Sequence, residues 1–146
     1  MGEIRTHRDL EAWKVGMDLT VEVYRLTRAL PSEERFGLTA QARRAATSIP
    51  ANIAEGHGRK TTGDFLQSLS IARGSLAELQ THLELMVRLD FVDRAAIKTG
   101  WHMTVQTRML INGLVRALEP RRQTTRGRSR TPHPSPRTPS SENPHA

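Results

Sequence analysis

The sequence predicts an all-α protein, an up-and-down four-helix bundle with a kinked second helix, followed by a disordered basic tail. Three observations point to this class. Apolar residues recur at helical spacing in four segments, no segment alternates apolar and polar residues as a strand does, and the composition changes near Pro120. We therefore place the bundle at residues 1–119 and the tail at residues 120–146.

The first and fourth predicted helices have apolar residues on two sides. Helix 1 begins at Asp9, a good N-cap residue, and continues to about Leu30 because Pro31 follows; helix 4 follows a cap at Asp93. The main faces are Leu10, Trp13, Met17, Val21 and Tyr24 in helix 1, and Ile97, Trp101, Val105, Ile111, Val115 and Leu118 in helix 4. The second strips are Val15, Leu19 and Leu26, with Ala12, in helix 1, and Met103, Leu110 and Leu114 in helix 4.

These second strips predict contacts with other copies of the chain. A single bundle would leave them in water, and large exposed apolar patches usually mark interaction surfaces. We therefore expect a homo-oligomer. The alternative is that the N-terminal arm or the geometry of the bundle itself covers the strips.

The second predicted helix covers residues 38–55 and contains a proline. Its inward residues are Ala42, Ala45, Ile49 and Ile53. Pro50 deletes one backbone hydrogen bond and crowds the carbonyl of Ala46, so we expect a kink or a local break at residues 46–50. Gly56 is placed as the C-terminal stop.

The third predicted helix has the most regular pattern. Thr61 and Asp64 have the spacing of a capping box at its start. Its apolar residues follow at alternating steps of four and three: Phe65, Leu69, Ala72, Leu76, Leu79, Leu83 and Met86. Gly74 interrupts this helix at a cost of about 1 kcal/mol relative to Ala, which predicts that another backbone approaches closely there.

The composition excludes several chemistries. The chain has no Cys, so disulfides, thiolate zinc sites and Cys nucleophiles are absent. No signal peptide or membrane-length apolar run is visible, so we expect a cytoplasmic protein without membrane contact. Glu78 and His82 are four residues apart, but a di-iron bundle needs further inward ligands, and the sequence has no second set. We expect no metal, no cofactor and no catalytic residue.

The tail carries most of the positive charge. It contains six arginines and one glutamate, a formal charge of +5 out of +7 for the whole chain, and it has no large apolar residue with which to form a core. Its arginines could neutralise phosphates and give a salt-dependent affinity for nucleic acid. The candidates are Arg121, Arg122, Arg126, Arg128 and Arg130. The alternatives are a solvated linker or an arm that docks on an acidic protein surface.

Two further polar features have a functional and a structural interpretation. Helix 2 carries a polar stripe of Gln41, Arg44, Ser48, Asn52 and Glu55. It is either a ligand face or, as we favour, a structural or oligomer-contact stripe whose Ser and Asn side chains satisfy backbone groups freed by Pro50. The basic connection at residues 56–60 leads into the start of helix 3, where an anion is favoured, but it lacks the spacing of a P-loop and we favour an ordinary turn. Arg59 and Lys60 remain candidate phosphate contacts.

Aromatic residues make up only 4% of the chain. Four of them fall at predicted core positions: Trp13, Tyr24, Phe65 and Trp101. We therefore expect no platform on which single-stranded bases could stack, and any binding of nucleic acid should be mainly electrostatic.

The middle of the chain resembles a bacterial family of four-helix bundles. The resemblance rests on Gln41, Arg43, Arg44, Ala45, the stretch Ser-Ile-Pro-Ala-Asn-Ile-Ala-Glu-Gly at residues 48–56, and Gly58-Arg59. A second signature comprises Phe65, Leu69, residues 71–76 and Glu78-Leu79, and the opening comprises Arg8-Asp9-Leu10 with Trp13. The family includes the ribosomal-RNA intervening-sequence proteins and the accessory variability determinant of diversity-generating retroelements. The arginine-rich tail lies outside its pattern.

The resemblance implies an antiparallel four-helix bundle, and its retroelement branch implies a homopentamer with a basic surface that contacts nucleic acid and a reverse transcriptase. For most of the family no biochemical activity is settled. Together with Arg43, Arg59, Lys60 and the basic tail, it favours a non-catalytic oligomer that binds RNA or DNA electrostatically as an accessory to a reverse transcriptase. The alternative is a protein-interaction scaffold, which rests on the surplus apolar strips and on a bundle with a formal charge of only +2.

Overall fold

The computed structural model describes residues 3–128, with side chains through residue 122. Its helices are α1 (Glu11–Thr27), α2 (Leu38–His57), α3 (Thr62–Arg88) and α4 (Arg94–Arg128), with short 3-10 helices at His7–Asp9 and Ser32–Glu34. The described residues contain no strand, and the predicted all-α class is confirmed. Each helix packs against its neighbours in sequence, and α4 also packs against α1, which closes an up-and-down bundle.

Two predicted helix starts and one predicted apolar face are confirmed. The Thr61 hydroxyl accepts a hydrogen bond from the backbone N–H of Asp64 at 3.1 Å, and α3 begins at Thr62, directly after this cap. Asp93 Oδ1 accepts the backbone N–H of Ala96 at 2.8 Å, directly before α4. Six of the seven predicted α3 residues are fully buried, namely Leu69, Ala72, Leu76, Leu79, Leu83 and Met86, and Phe65 is half-buried against them.

The predicted start of helix 1 at Asp9 is wrong. Asp9 ends the first 3-10 helix, where its Oδ2 accepts the backbone N–H groups of Arg5 at 2.9 Å and Thr6 at 3.1 Å. These two hydrogen bonds lower the pKa of the Asp9 carboxyl. The carboxylate thus caps a preceding turn, and α1 itself covers only Glu11–Thr27 rather than continuing to Leu30.

Burial selects a different side of α1 from the predicted main face, and it confirms only part of that face in α4. The buried members of the predicted α4 face are Ile97, Ile111 and Leu118. Leu19 is fully buried and Leu26 is 4% exposed, so these two residues of the predicted oligomer strip belong to the core of the single bundle. Val15 is half-buried. The strip residues of α4 pack against the same core: Met103, Leu110 and Leu114. The exposed large apolar side chains of the two helices are Met17, Val21 and Tyr24 in α1 and Trp101, Val105 and Met109 in α4.

Buried threonines explain the difference in α4. Thr104 and Thr107 are fully buried, and their hydroxyls donate to the carbonyl oxygens of Trp101 at 2.6 Å and Met103 at 2.7 Å. A threonine whose hydroxyl is bonded within its own helix can be buried without an unsatisfied polar group. Two residues that count as polar in a sequence pattern therefore occupy the core, and Trp101 and Val105 lie on the surface.

α2 runs without a break through the buried Pro50. Proline has no N–H, so the carbonyl of Ala46 loses its helical hydrogen bond. The hydroxyl of Thr20 on α1 lies 3.1 Å from this carbonyl oxygen and 2.9 Å from the carbonyl oxygen of Gly16, so its single proton is shared between the two acceptors. Gly16 lies at this contact, where an added Cβ would meet Pro50 at 3.6 Å, an ordinary van der Waals distance. The break considered at residues 46–50 is absent, and the neighbouring helix brings a hydroxyl to the freed carbonyl.

Two glycines have roles opposite to those predicted. Gly56 lies inside α2, which continues to His57, and does not end the helix. A Cβ at Gly56 would lie 2.7 Å from Cβ of Ser68 and 2.8 Å from Cδ2 of Phe65, so the close helix approach is here, between α2 and α3. Gly74, where the sequence predicts such an approach, is exposed, and a Cβ there would meet no atom within 4 Å.

α4 also continues through a proline. The sequence predicts that the bundle ends at residue 119, but α4 passes Pro120 and ends at Arg128. The proline removes one helical hydrogen bond, and the Arg and Gln residues that follow it are good helix formers. Residues 129–146, most of the segment for which disorder is predicted, lie outside the described residues.

Candidate nucleic-acid interface

Antiparallel packing sorts the candidate cations between the two ends of the bundle. Ser48 Oγ lies 2.8 Å from Ser75 Oγ across α2 and α3, and Arg73 Nη1 lies 3.3 Å from Asn112 Oδ1 across α3 and α4. The start of α1, the end of α2, the start of α3 and the end of α4 therefore share one end, here called the tail end. The opposite end, with the α1–α2 and α3–α4 connections, is here called the far end.

The tail end brings together cations that are distant in sequence. Arg59 and Lys60 are exposed in the α2–α3 connection, and Arg121 is exposed near the end of α4. Arg122 and Arg73 line a polar depression of about 230 Å³ between α3 and α4. Other residues around this depression include Gln67, Ser70 and Glu119.

Most of the tail arginines that are predicted to contact phosphates belong to a helix. Arg121, Arg122, Arg126 and Arg128 all belong to α4, whereas Arg130 lies outside the described residues. At a rise of about 1.5 Å per residue, the four arginines of α4 span about 10 Å along the helix axis. Their spacing is set by the helix rather than by a flexible arm.

The basic connection between α2 and α3 is a capped turn. Gly58 ends α2, and Thr61 and Asp64 occupy the positive start of α3, one as cap and the other as a carboxylate in the first turn. Arg59 forms an exposed ion pair with Glu55, one turn earlier in α2. Such surface pairs contribute about 0–1 kcal/mol, so a phosphate can replace the carboxylate. The connection therefore presents basic side chains to an anion rather than a cradle of backbone N–H groups.

The polar stripe of α2 divides into a structural middle and exposed ends. Asn52 Nδ2 donates to the carbonyl of Ser48 at 2.7 Å and to its hydroxyl at 3.0 Å, and this hydroxyl pairs with Ser75. These half-buried groups satisfy one another at the α2–α3 contact. The prediction that they compensate for Pro50 is wrong, because Thr20 does so. The exposed members are Gln41, Arg44 and Glu55.

Arg43 lies at the far end, apart from the other candidate cations. Its Nε donates to Oγ1 of Thr27 at 2.9 Å, and its guanidinium carbon lies 4.4 Å from the centroid of the Tyr24 ring. The Thr27 hydroxyl donates in turn to the carbonyl of Val23 at 2.7 Å. The half-buried Arg43 therefore fixes α2 against α1.

The far end also has exposed aromatic rings. Tyr24 is 39% exposed and Trp101 is 38% exposed, so their predicted core positions are wrong. Phe36, in the α1–α2 connection, is 84% exposed, and the guanidinium carbon of Arg35 lies 5.2 Å from its ring centroid. Sequence reasoning missed Phe36. The available signal is an aromatic residue next to an arginine, outside every helical pattern.

Glu84 is the centre of an ion-pair cluster near the α3–α4 connection. Its carboxylate accepts hydrogen bonds from Arg94 Nη2 at 2.9 Å, Arg94 Nη1 at 3.0 Å and Arg88 Nε at 3.2 Å. The two arginines, Arg94 first, lower the pKa of Glu84 to about 2. The cluster links the end of α3 to the start of α4, beside Trp101.

The described residues bring together no group of three or more His, Asp or Glu side chains suited to holding a metal ion. His82 Nε2 lies 3.5 Å from Glu78 Oε1, and the buried Nδ1 of His82 has no hydrogen-bond partner. This pair alone supplies too few ligands for a metal centre. Over the described range, the helices lack the combination of length and apolar character needed to cross a membrane.

Comparisons with known proteins agree with this architecture. The sequence profile of the 23S rRNA-intervening sequence protein family matches residues 8–113. Among solved structures, a protein of unknown function from the S23 ribosomal protein family of Bacteroides thetaiotaomicron is similar, with a TM-score of 0.64 and 22% sequence identity. The match covers 71% of this chain and 97% of that chain and supports the fold alone. A comparison with curated proteins found no match.

Proposed function

The chain belongs to the 23S rRNA-intervening sequence protein family, and we propose that it acts as a non-catalytic, homo-oligomeric helical bundle that binds RNA or DNA through its positive charge. The tail end carries this proposal, because Arg59 and Lys60 share one end of the bundle with the arginines of α4. Cations gathered from separate segments can neutralise several neighbouring phosphates at once.

The helical continuation of α4 supports a phosphate-binding role. Successive phosphates of one DNA strand are about 3.4 Å apart along the axis, so the 10 Å or so between Arg121 and Arg128 corresponds to about three phosphates. A helix keeps this spacing before binding, so less backbone conformational entropy is lost when the arginines bind phosphates. The tail end is therefore better suited to bind nucleic acid than a flexible arm of the same composition.

An oligomer would multiply this basic surface. Met17 and Val21 of α1 and Val105 and Met109 of α4, here called the α1–α4 surface, are 41–69% exposed. The two helices pack against each other, and large apolar side chains left exposed on neighbouring helices favour an interaction surface. We assign the α1–α4 surface to contacts between copies, and the family resemblance implies five copies. Several tail ends on one nucleic-acid molecule would raise the affinity through effective concentration.

A protein-interaction scaffold is the second candidate function, and the α1–α4 surface is the observation that favours it. The two candidates respond differently to salt, because phosphate contacts weaken at high salt whereas apolar contacts do not. A reverse transcriptase is the partner that the family resemblance proposes. A protein partner retained at high salt, together with no binding of nucleic acid at low salt, would favour the scaffold.

Fluorescence anisotropy across salt tests the proposed function. The probes are a labelled RNA hairpin and a labelled DNA duplex, and the full chain is compared with the double variant Arg121→Gln/Arg122→Gln. We expect the slope of log affinity against log salt on the duplex to fall by about 2, because two phosphate contacts are lost at about 0.9 each.

The matched control is Arg28→Gln/Lys98→Gln, which removes two exposed cations at the far end. We expect this control to leave the slope on the duplex close to that of the parent chain. Equal losses from both double variants would show that net charge, rather than the tail end, determines binding. Failure of the full chain to bind either probe at low salt would overturn the nucleic-acid function.

A further inference from the structure

A groove at the far end, between α1 and α2, combines exposed rings with arginines. Its volume is about 360 Å³. The residues around it include Tyr24, Arg35, Phe36, Thr39, Arg43 and Arg44. Three of the lining residues are arginines, and none of those that the structure places there is Asp or Glu. This α1–α2 groove is separate from the tail end and combines positive charge with planar apolar faces.

Phe36 lies at the groove because it belongs to the connection between α1 and α2, and its side chain is not buried. A single exposed apolar side chain is common on protein surfaces and needs no explanation. Phe36, however, is 84% exposed, and a second exposed ring, that of Tyr24, lines the same groove. The guanidinium group of Arg35 lies over the ring of Phe36. The geometry therefore offers aromatic surface next to cationic groups, which is the combination found where proteins hold unpaired bases.

Two of the three acidic residues near the groove in sequence, Glu34 and Glu22, are engaged in other contacts, whereas Glu33 is exposed. Glu34 Oε2 accepts the backbone N–H of Leu38 at 3.0 Å, so its charge stabilises the start of α2. Glu22 is paired with Arg25 on α1. Arg44 is exposed at the groove. Three arginines line the groove and Glu33 is not among its lining residues, so the groove remains net positive for an anionic ligand.

Resting on the proposed function and deepening it, we propose that the α1–α2 groove binds single-stranded nucleic acid, with an unpaired base stacked on Phe36 and neighbouring phosphates on Arg35 and Arg44. The bases of a duplex remain stacked on one another, so the groove selects single strands over double strands. Arg43 is a positioning residue, because its contacts with Tyr24 and Thr27 fix the wall of the groove.

Anisotropy with two further probes tests the groove in the full chain. The probes are a labelled 12-nucleotide oligodeoxythymidine and a labelled 12-base-pair DNA duplex. We expect Phe36→Ala to weaken binding of the single strand by about 5-fold to 100-fold, the loss of one stacked base, and to leave binding of the duplex unchanged. Phe36→Trp keeps an aromatic face and should bind the single strand at least as well as the parent chain.

Two further variants separate stacking from charge. Leu89→Ala removes an apolar side chain that is 53% exposed outside the groove, and it should change neither affinity. Arg44→Gln removes one phosphate contact, so the salt slope for the single strand should fall by about 0.7. Phe36→Ala should leave that slope unchanged, because stacking does not release counterions.

The outcomes distinguish the groove from the proposed function. If the parent chain binds both probes and Phe36→Ala has no effect, the groove proposal is overturned while binding through the tail end stands. If the parent chain binds neither probe at low salt, both proposals are overturned. If Phe36→Ala weakens both probes equally, or changes the oligomeric state in sedimentation velocity, Phe36 acts in folding or in contacts between copies and the groove assignment is wrong.

Discussion

α2 and α4 both continue through a proline, but the two helices differ in how their side chains are packed. In α2, Thr20 supplies the donor that Pro50 lacks, and Gly56 allows α3 to pack closely. α4 buries threonines and leaves large apolar side chains on its surface: Trp101, Val105 and Met109. The contacts of α2 at Pro50 and Gly56 are therefore made within one chain, whereas the outer side of α4 leaves large apolar side chains exposed. A regular apolar pattern therefore does not by itself distinguish a buried face from an exposed one.

The largest effect is expected at the closest contact of α2. Gly56→Ala places a Cβ 2.7 Å from Cβ of Ser68 and 2.8 Å from Cδ2 of Phe65, so α2 and α3 must move apart. We expect the free energy of unfolding to fall by about 2–3 kcal/mol, the cost of overpacking a tight contact. Urea unfolding measures this change. A loss below about 0.5 kcal/mol would show that the α2–α3 contact adjusts freely and would remove the contrast between the two helices.

The next effect is expected at the carbonyl freed by Pro50. Thr20→Val keeps the shape of the side chain but removes the donor to the Ala46 carbonyl, so a partly buried oxygen loses its partner. We expect a loss of about 1–2 kcal/mol in unfolding free energy. Thr81→Val is the matched control, since the exposed Thr81 hydroxyl donates only to Ala77 of its own helix. Equal effects of the two variants would contradict a special role for the Thr20 hydrogen bond.

A smaller effect of opposite sign is expected on the exposed side of α3. Gly74→Ala adds a methyl group into open space in the middle of a helix, so we expect a gain of up to about 1 kcal/mol in unfolding free energy. The same urea experiment as for Gly56→Ala gives a direct comparison of two glycine positions. Destabilisation, or weaker assembly in sedimentation velocity, would show that another copy of the chain approaches at Gly74.

Local signals in the sequence predict part of the fold correctly. The caps at Thr61 and Asp93 depend on one side chain and a backbone group three residues later, so no distant contact is needed to identify them. The α3 face has a strict repeat of large apolar residues, so the sequence predicts which side of this helix is buried. α1 and α4 have two apolar sides each, and the choice depends on buried threonines such as Thr104, whose hydroxyl is satisfied inside the helix.

The features that local sequence patterns do not predict depend on tertiary contacts. Gly56 and Gly74 are the same residue type in helical segments, and only the neighbouring helix shows which of them is packed. For the candidate interface, the basic connection indicates that Arg59 is available, but its place at the same end of the bundle as the end of α4 depends on the topology. Phe36 lies in a connection, where no periodicity predicts burial or exposure, so the α1–α2 groove is visible only in the structure.

The smallest effect is expected at the exposed ion-pair cluster that links the end of α3 to the start of α4. Arg94 and Arg88 lower the pKa of Glu84 from its ordinary value near 4.5 to about 2. A carboxyl whose pKa is lowered by folding contributes stability that is fully present above pH 4.5 and is lost as the pH falls towards 2. Glu84→Gln should therefore have a lower Tm than the parent chain at pH 7.

This difference should shrink as the pH falls through that window, and added salt should reduce it at pH 7, because water screens an exposed cluster. Circular dichroism melts at pH 7 and near pH 2.5 measure the two differences, with Glu33→Gln, an exposed carboxylate of the second 3-10 helix, as the control. A Tm difference that stays the same at both pH values would mean that Glu84 stabilises the start of α4 by packing. In that case the link between α3 and α4 would depend on packing, as the contact between α2 and α3 does, and α2 and α4 would differ only in their outer surfaces.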